Sequence, residues 1–382
     1  MAVYADNAAT TAVSKRALEA AMPFLTEACG NPSSPHAWGR QAAAAVLAAR
    51  QTLAERLGAK RAGEVYFTSC GSEADTWAVA AGTLYGAQSG RRHILTTAVE
   101  HHAVLGACEN AREQGFEVTY LRPDSSGVIT AEAVISALRD DTCLLSIMAA
   151  NNETGVIMPY DKLGAACREK GVLLHVDAVQ GFGHLPVDVS TMGIDLLSVS
   201  GHKLCAPKGV GALYCRSGVS LPKLIFGGQQ ERGRRAGTEN VPAIAALGAA
   251  VEELFEDNEA KNARLCRLRD RLREGLLELE GAALNGFPEG GLPGIVNVSF
   301  EGIEGESLLL LLDMQGIAAS SGSACASGSA EPSHVLRAMG RTKEQAAASV
   351  RFSLGFQNTE ADVEEIIAAC RSCVERLRRL RG

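Results

Sequence analysis

Between residues 64 and 215 short apolar runs alternate with longer amphipathic or alanine-rich ones. EVYFTS, HILTTAVE, LLSIMAAN, VLLHVDAV, DLLSVS and GALYCR predict strands; SEADTWAVAAGTLYGA, AVLGACENAREQG and LGAACREKG predict helices. Near-continuous apolar strands separated by helices predict an α/β fold, with a mainly parallel sheet covered on both faces. Open sheets of this kind bind ligands outside the carboxyl ends of their strands, so polar residues just past each strand are the first candidates for function.

The flanks read differently. Residues 14–60 are alanine-rich and helical in pattern, interrupted by GNPSSPHAWG. After about residue 250, EELFEDNEAKNARLCRLRDRLREGLLELE predicts one long charged amphipathic helix. GIVNVSFEG (strand), ESLLLLLDMQG (helix), IAASSGSAC (strand into loop), VRFSLG (strand) and a final helix from Thr359 follow. The expected division is a large domain over 15–252 and a smaller α+β domain from 1–14 with 253–382. A length of 382 residues suits that pair.

Composition narrows the function. With 46% hydrophobic and 21% charged residues the chain has ample core, and a net charge of −7 argues against direct nucleic-acid binding. Eleven cysteines, an odd number without framework spacing, point to a reducing compartment, and a cytoplasmic protein is expected. Cys370 and Cys373 form the lone C-x-x-C and read as incidental helix thiols, so no metal site is expected. MAVYADNAATT lacks a basic n-region and an apolar h-region, and Leu308 to Leu312 is too short to span a bilayer. No membrane association is expected.

Four segments put polar groups at strand ends. VSGHK (199–203) offers Lys203, a candidate Schiff-base lysine, with Ser200 and His202 beside it. HVDAVQ (175–180) ends an apolar strand in Asp177, and a buried carboxylate there needs a partner. A cofactor with a protonated pyridine nitrogen would supply one. TAVEHHAV (97–104) ends its strand in His101, where a ring could stack on a flat cofactor. TSCGSEADT (68–76) leads through Gly71 and Ser72 into a helix, the kind of junction that binds phosphate. Taken singly, each also reads as an ordinary loop lysine, turn cap, structural histidine or helix start. Their order, with Asn152 of NNETG between them, favours a site.

One cysteine, Cys325, lies in SSGSACASGSAEPSHVLRAMG, a run of serine, glycine and alanine that resembles neither a core nor a metal site. Together with YADNAATT, GNPSSPHAWGR, ERGRRAGTENVP and SVRFSLG, these segments make the chain resemble the cysteine desulfurases of the NifS/IscS type nearly from end to end. The resemblance implies the aspartate-aminotransferase-like fold type I of pyridoxal-phosphate enzymes, with a mainly parallel seven-stranded sheet in the large domain. It implies that Lys203 binds the cofactor covalently, Asp177 holds its ring nitrogen, Gln180 and Asn152 contact its ring oxygen, and His101 stacks on the ring and moves protons. Gly71, Ser72, Ser200 and His202 would hold the phosphate. Thr238 would reach the phosphate of a second copy in a homodimer. Arg351 would grip the carboxylate of L-cysteine, with Asn7 and Asn31 lining the substrate pocket. Cys325 would take sulfur as a persulfide and release L-alanine, its Gly/Ser/Ala segment letting one thiol visit both the substrate and a sulfur-acceptor protein for iron–sulfur cluster assembly or thiolation.

The cradle departs from the family pattern at Cys70, Ser72 and Thr76, where glycine, threonine and asparagine are usual, and the chain stops soon after its last helix. Two other readings compete: a selenocysteine lyase or β-lyase on the same fold, for which Cys325 would be dispensable, and a catalytically silent sulfur-carrying subunit. The basic segment ERGRRAG (231–237) reads most simply as positioning a loop at the site entrance.

Overall fold

The computed structural model describes residues 2–286, 288–321 and 332–381. Its centre is a seven-stranded sheet in the order β2 (Val65–Thr68), β8 (Gly211–Cys215), β7 (Leu196–Ser200), β6 (Leu173–Asp177), β5 (Thr142–Met148), β3 (His93–Thr97), β4 (Glu117–Leu121). The pairs from β7 through β6, β5 and β3 to β4 are parallel, and β8 is antiparallel to both neighbours. Every residue of β3, β5, β6, β7 and β8 is buried, as strands covered on both faces must be. The helix Gly71–Ser89 packs its Trp77 ring into this layer, with no exposure and its indole N–H given to Pro222 O at 2.9 Å. Full burial of such a side chain stabilises by about 1.5–3 kcal/mol.

Helix ends follow local chemistry. Ser14 accepts the Ala17 N–H and starts Lys15–Thr26. The next helix, Ala37–Leu57, takes in the last three residues of GNPSSPHAWG and stops at Gly58, whose φ of 70° suits a residue without Cβ.

A second layer joins both ends of the chain. β10 (Ile295–Phe300) lies between β9 (Ala282–Leu284) and β12 (Ser349–Ser353), while β1 (Val3–Tyr4) pairs with β11 (Ile317–Ala318). Val3 and Ala5 share a hydrophobic cluster with Leu265, Phe300, Leu312, Phe352 and Ile366. The short helices after residue 333 instead send Val335, Leu336 and Ala346 into the cluster beneath the large sheet.

Three expectations change. The long charged helix is two, Val241–Phe255 and Asn258–Leu277. Asp257 between them adopts φ 49°, and the Asn258 side-chain amide donates from Nδ2 to Leu254 O and Gly183 O. Asp and Asn tolerate this left-handed backbone better than other residues with a Cβ. The strand before His101 ends at Thr97, so His101 is the N-cap of the helix His102–Glu113 and not a strand terminus. β4 was not expected, because an edge strand with partly exposed residues carries little apolar signal. No helix among the described residues is long and apolar enough to cross a membrane.

Candidate active site

The carboxyl ends of β5, β6 and β7 and the start of the helix Gly71–Ser89 enclose a cavity of about 320 Å³. Ten of the sequence candidates line it: Gly71, Ser72, His101, Asn152, Asp177, Gln180, Ser200, His202, Lys203 and Arg351. Asn7 lines an adjoining recess shared with Lys203 and Gln180. Asn31 is exposed and closes a turn through Ser33 N at 2.9 Å, outside both cavities. Thr238 is exposed on a separate recess with Ser69 and Arg235. Cys325 lies outside the described residues.

Lys203 follows β7 in a single helical turn and donates to the carbonyls of Ala8 and Ala9, the latter at 2.7 Å. Gln180 Nε2 also donates to Ala8 O, at 3.0 Å. These bonds bring the N-terminal DNAATT segment against the end of the sheet. The segment also donates from Thr11 Oγ1 to His202 O at 2.9 Å.

Asp177 is the last residue of β6. Burial raises its carboxyl to about 6, although the Val179 N–H at 2.9 Å and the Lys203 ammonium both favour the ionised form. Two further buried acids stand close enough to couple with it. Asp75, one turn into the helix Gly71–Ser89, is pushed well up by burial and then by the charge of Asp177. Its Oδ1 has no hydrogen-bond partner among the described residues and lies 3.7 Å from His175 Nε2. Glu100 is raised to about 8, chiefly by burial; Thr97 Oγ1 and Met148 N both donate to its Oε1. Of the three acids Asp75 and Asp177 line the cavity, and an ionised Asp177 there suits a cationic guest.

The two histidines that line the cavity, His101 and His202, are neutral. Burial lowers His101 to about 4, assisted by His102, Lys203 and His334. His101 Nδ1 accepts the Ala103 N–H at 3.1 Å, so its proton sits on Nε2. His202 is likewise lowered to about 4, by burial and then by Lys203.

At the helix start, the N-cap Cys70 makes no side-chain cap bond. A Cβ on Gly71 would lie 2.8 Å from Val179 Cγ2 and 3.2 Å from Ser200 Cβ, so the backbone approaches here as only glycine permits. The Ser200 hydroxyl is buried without a partner among the described residues. An anion with several acceptor oxygens fits this junction. Cys70 also lines the cavity.

Arg351 in β12 is 2% exposed. Its Nη1 donates to Asn152 O at 2.9 Å and its Nη2 to Asp6 Oδ1 at 2.9 Å, leaving Nε without a partner among the described residues. The ERGRRAG segment is pinned to the large domain: Arg235 pairs with Glu73, Glu231 with Arg50 at 2.8 Å, and the Arg232 guanidinium sits 3.6 Å from the Tyr66 ring centre.

Sequence reasoning passed over Asp6, Asp75, Glu100, Glu153 and His334. Asp75 carries a usable signal, since it is four residues after Gly71 and so on the same helix face. Glu100 precedes a flagged histidine, but nothing in the sequence marks its burial.

Comparison with known proteins gives one picture. The aminotransferase class-V family matches residues 3–366. The cysteine desulfurase IscS of Methanosarcina thermophila is 50% identical over 379 residues, covering 99% of this chain and 93% of that protein. A solved structure of a NifS-like protein superposes with a TM-score of 0.91 at 38% identity, covering 99% of this chain and all of that one. The structure of SspA in complex with cysteine matches with a TM-score of 0.80 at 35% identity, covering 92% of this chain and 98% of that one.

Proposed function

The chain belongs to the class-V aminotransferase family, and on that premise we propose that it is a pyridoxal-phosphate-dependent cysteine desulfurase of the NifS/IscS type. The observation that carries this reading is the convergence of Lys203, Asp177, His101 and Arg351 on one cavity at the carboxyl ends of the parallel strands. The residues present fit the cofactor. Lys203 would hold it covalently, Asp177 would pair with its ring nitrogen, Asn152 and Gln180 would contact its ring oxygen, and the Gly71–Ser72 turn with Ser200 and His202 would take its phosphate. When bound, this cofactor supplies an electron sink for chemistry at the carbons of an amino-acid substrate.

The protein's own groups do the rest. Arg351 orients L-cysteine by its carboxylate through guanidinium N–H groups not yet committed, while Asp6 and the Asn152 carbonyl hold the guanidinium plane. Asn7, in the adjoining recess, helps shape the substrate's space. Neutral His101 presents a proton at Nε2 and can exchange it with the substrate. Cys325 attacks as the thiolate. The bond from its Sγ to the substrate sulfur forms as the substrate Cβ–S bond breaks; the electron pair stays with Cβ, which takes up a proton, and alanine leaves. The persulfide on Cys325 then passes to an acceptor protein.

The division into 15–252 and 1–14 with 253–382 belongs to this reading, supported by the separate cluster that unites Val3 and Ala5 with the C-terminal segments. So does a homodimer. Its support is the exposed Leu18, Met22 and Leu25 along one helix, exposed Trp38 and Phe226, and the position of Thr238 outside its own chain's cavity. A cytoplasmic location is supported by the ten described cysteines, all unpaired. The reading is tested by purifying the protein with pyridoxal phosphate and adding L-cysteine. A yellow holoenzyme whose absorbance shifts on adding cysteine, and which forms alanine, supports it. A colourless protein that forms no alanine refutes it.

A further inference from the structure

Glu153 sits where three parts of the chain meet. It is 3% exposed, in the turn after β5. Its amide donates to Asn151 Oδ1 at 2.9 Å, and its carbonyl accepts from Asn297 Nδ2, on β10, at 3.1 Å. The carbonyl just before it, Asn152 O, holds Arg351 Nη1. Its carboxyl accepts the Ser333 hydroxyl proton. Ser333 in turn caps the helix His334–Ala338 by accepting the Leu336 N–H at 3.1 Å.

Ser333 lies just beyond the stretch 322–331 that contains Cys325. Just before that stretch, Ser320 exchanges two backbone hydrogen bonds with Arg351, at 3.1 and 2.7 Å. Both flanks of the Cys325 segment are therefore tied to the residue that would hold the substrate carboxylate. One flank is tied directly; the other runs through Ser333, Glu153 and Asn152. A buried carboxyl is a costly way to fasten a helix cap. Burial raises this one to about 7 against the opposing effects of Ser333 and Arg351.

We propose that Glu153 is a positioning residue for sulfur transfer: through Ser333 it fixes, relative to Arg351, the anchor at which the chain re-enters the fold after residue 331, and so the point from which Cys325 reaches the bound substrate. The proposal rests on the desulfurase reading above. Rates of such steps fall by about 100-fold when a reacting group is misplaced by about 1 Å.

The test uses the pyridoxal-phosphate holoenzyme and its Glu153→Ala, Glu153→Gln, Ser333→Ala and Glu153→Ala/Ser333→Ala variants. Two readouts are followed in a single turnover with L-cysteine: the cofactor absorbance change on substrate binding, and persulfide on Cys325 by peptide mass. The expected result is that Glu153→Ala and Ser333→Ala each slow persulfide formation by about 10- to 100-fold, with the absorbance change and the KM for cysteine nearly unchanged. Glu153→Gln, which keeps an acceptor for Ser333, restores most of the rate, and the double variant is no slower than either single one. Native rates in both single variants, or losses that multiply in the double variant, overturn the proposal. Should Glu153→Ala not hold its cofactor, Ser333→Ala, which removes one hydroxyl, decides by the same criteria. If the native enzyme forms no persulfide on Cys325, the desulfurase reading falls and takes the proposal with it. If it does and the variants match it, only the positioning role falls.

Discussion

Arg351 Nη2 and Asp6 Oδ1 meet at 2.9 Å although the two residues lie 345 positions apart. The contact closes the N-terminal segment over the strand that carries the arginine. With Nη1 committed to Asn152 O, it fixes the guanidinium plane before any substrate arrives. An arginine held in this way presents its remaining N–H donors in fixed directions, which a flexible ammonium cannot do.

Replacing Arg351 by Lys is therefore not conservative. One ammonium cannot serve Asn152 O, Asp6 and a substrate carboxylate together. The KM for L-cysteine is expected to rise by about 10- to 100-fold, with cofactor binding retained. Steady-state kinetics check this. An unchanged KM would place carboxylate recognition elsewhere.

Glu100 makes a prediction about pH. Its carboxyl is raised from the ordinary 4.5 to about 8, chiefly by burial. Between those values the unfolded chain is ionised at this residue while the folded chain stays protonated. The group therefore withdraws stability as pH rises through that window. Glu100→Gln keeps an acceptor for Thr97 and Met148 and removes the titration. Its urea midpoint is expected to gain on the native protein steadily from about pH 5 to about pH 8. A gap that does not change with pH would mean that Glu100 is ionised in the folded protein.

His101 is neutral with its proton on Nε2 because Nδ1 is occupied by the Ala103 N–H. His101→Gln is expected to lower kcat for alanine formation by about 100- to 10,000-fold, with the cofactor still bound. Absorbance and product analysis on one preparation separate the two effects. A variant with native kcat would remove His101 from proton transfer.

Much of this site was legible in the sequence because the fold dictates where to look. Lys203 and Asp177 stand at or just beyond the ends of apolar strands, where an α/β sheet gathers ligands, and Gly71 and Ser72 stand where a strand hands over to a helix. The buried acids were not legible. In the sequence Asp75 is a helix residue, Glu100 a loop residue and Glu153 part of a turn; only the tertiary packing makes them carboxyls without water. The two helices read as one in the sequence because the charge pattern runs unbroken through Glu256 and Asp257, and the break is a backbone event at Asp257. His101 reads as a strand end because histidine is an uncommon N-cap, and β4 carries little signal because an edge strand can be polar.

In the proposed reaction sulfur leaves cysteine by way of Cys325. The decisive experiment follows alanine and sulfide formation from L-cysteine, with and without reductant, by native enzyme and Cys325→Ala, with selenocysteine as a second substrate. The variant is expected to keep its cofactor colour and to lose alanine and sulfide formation from cysteine, while any activity on selenocysteine survives. Full activity of Cys325→Ala on cysteine would contradict it and make the protein a lyase that needs no thiol.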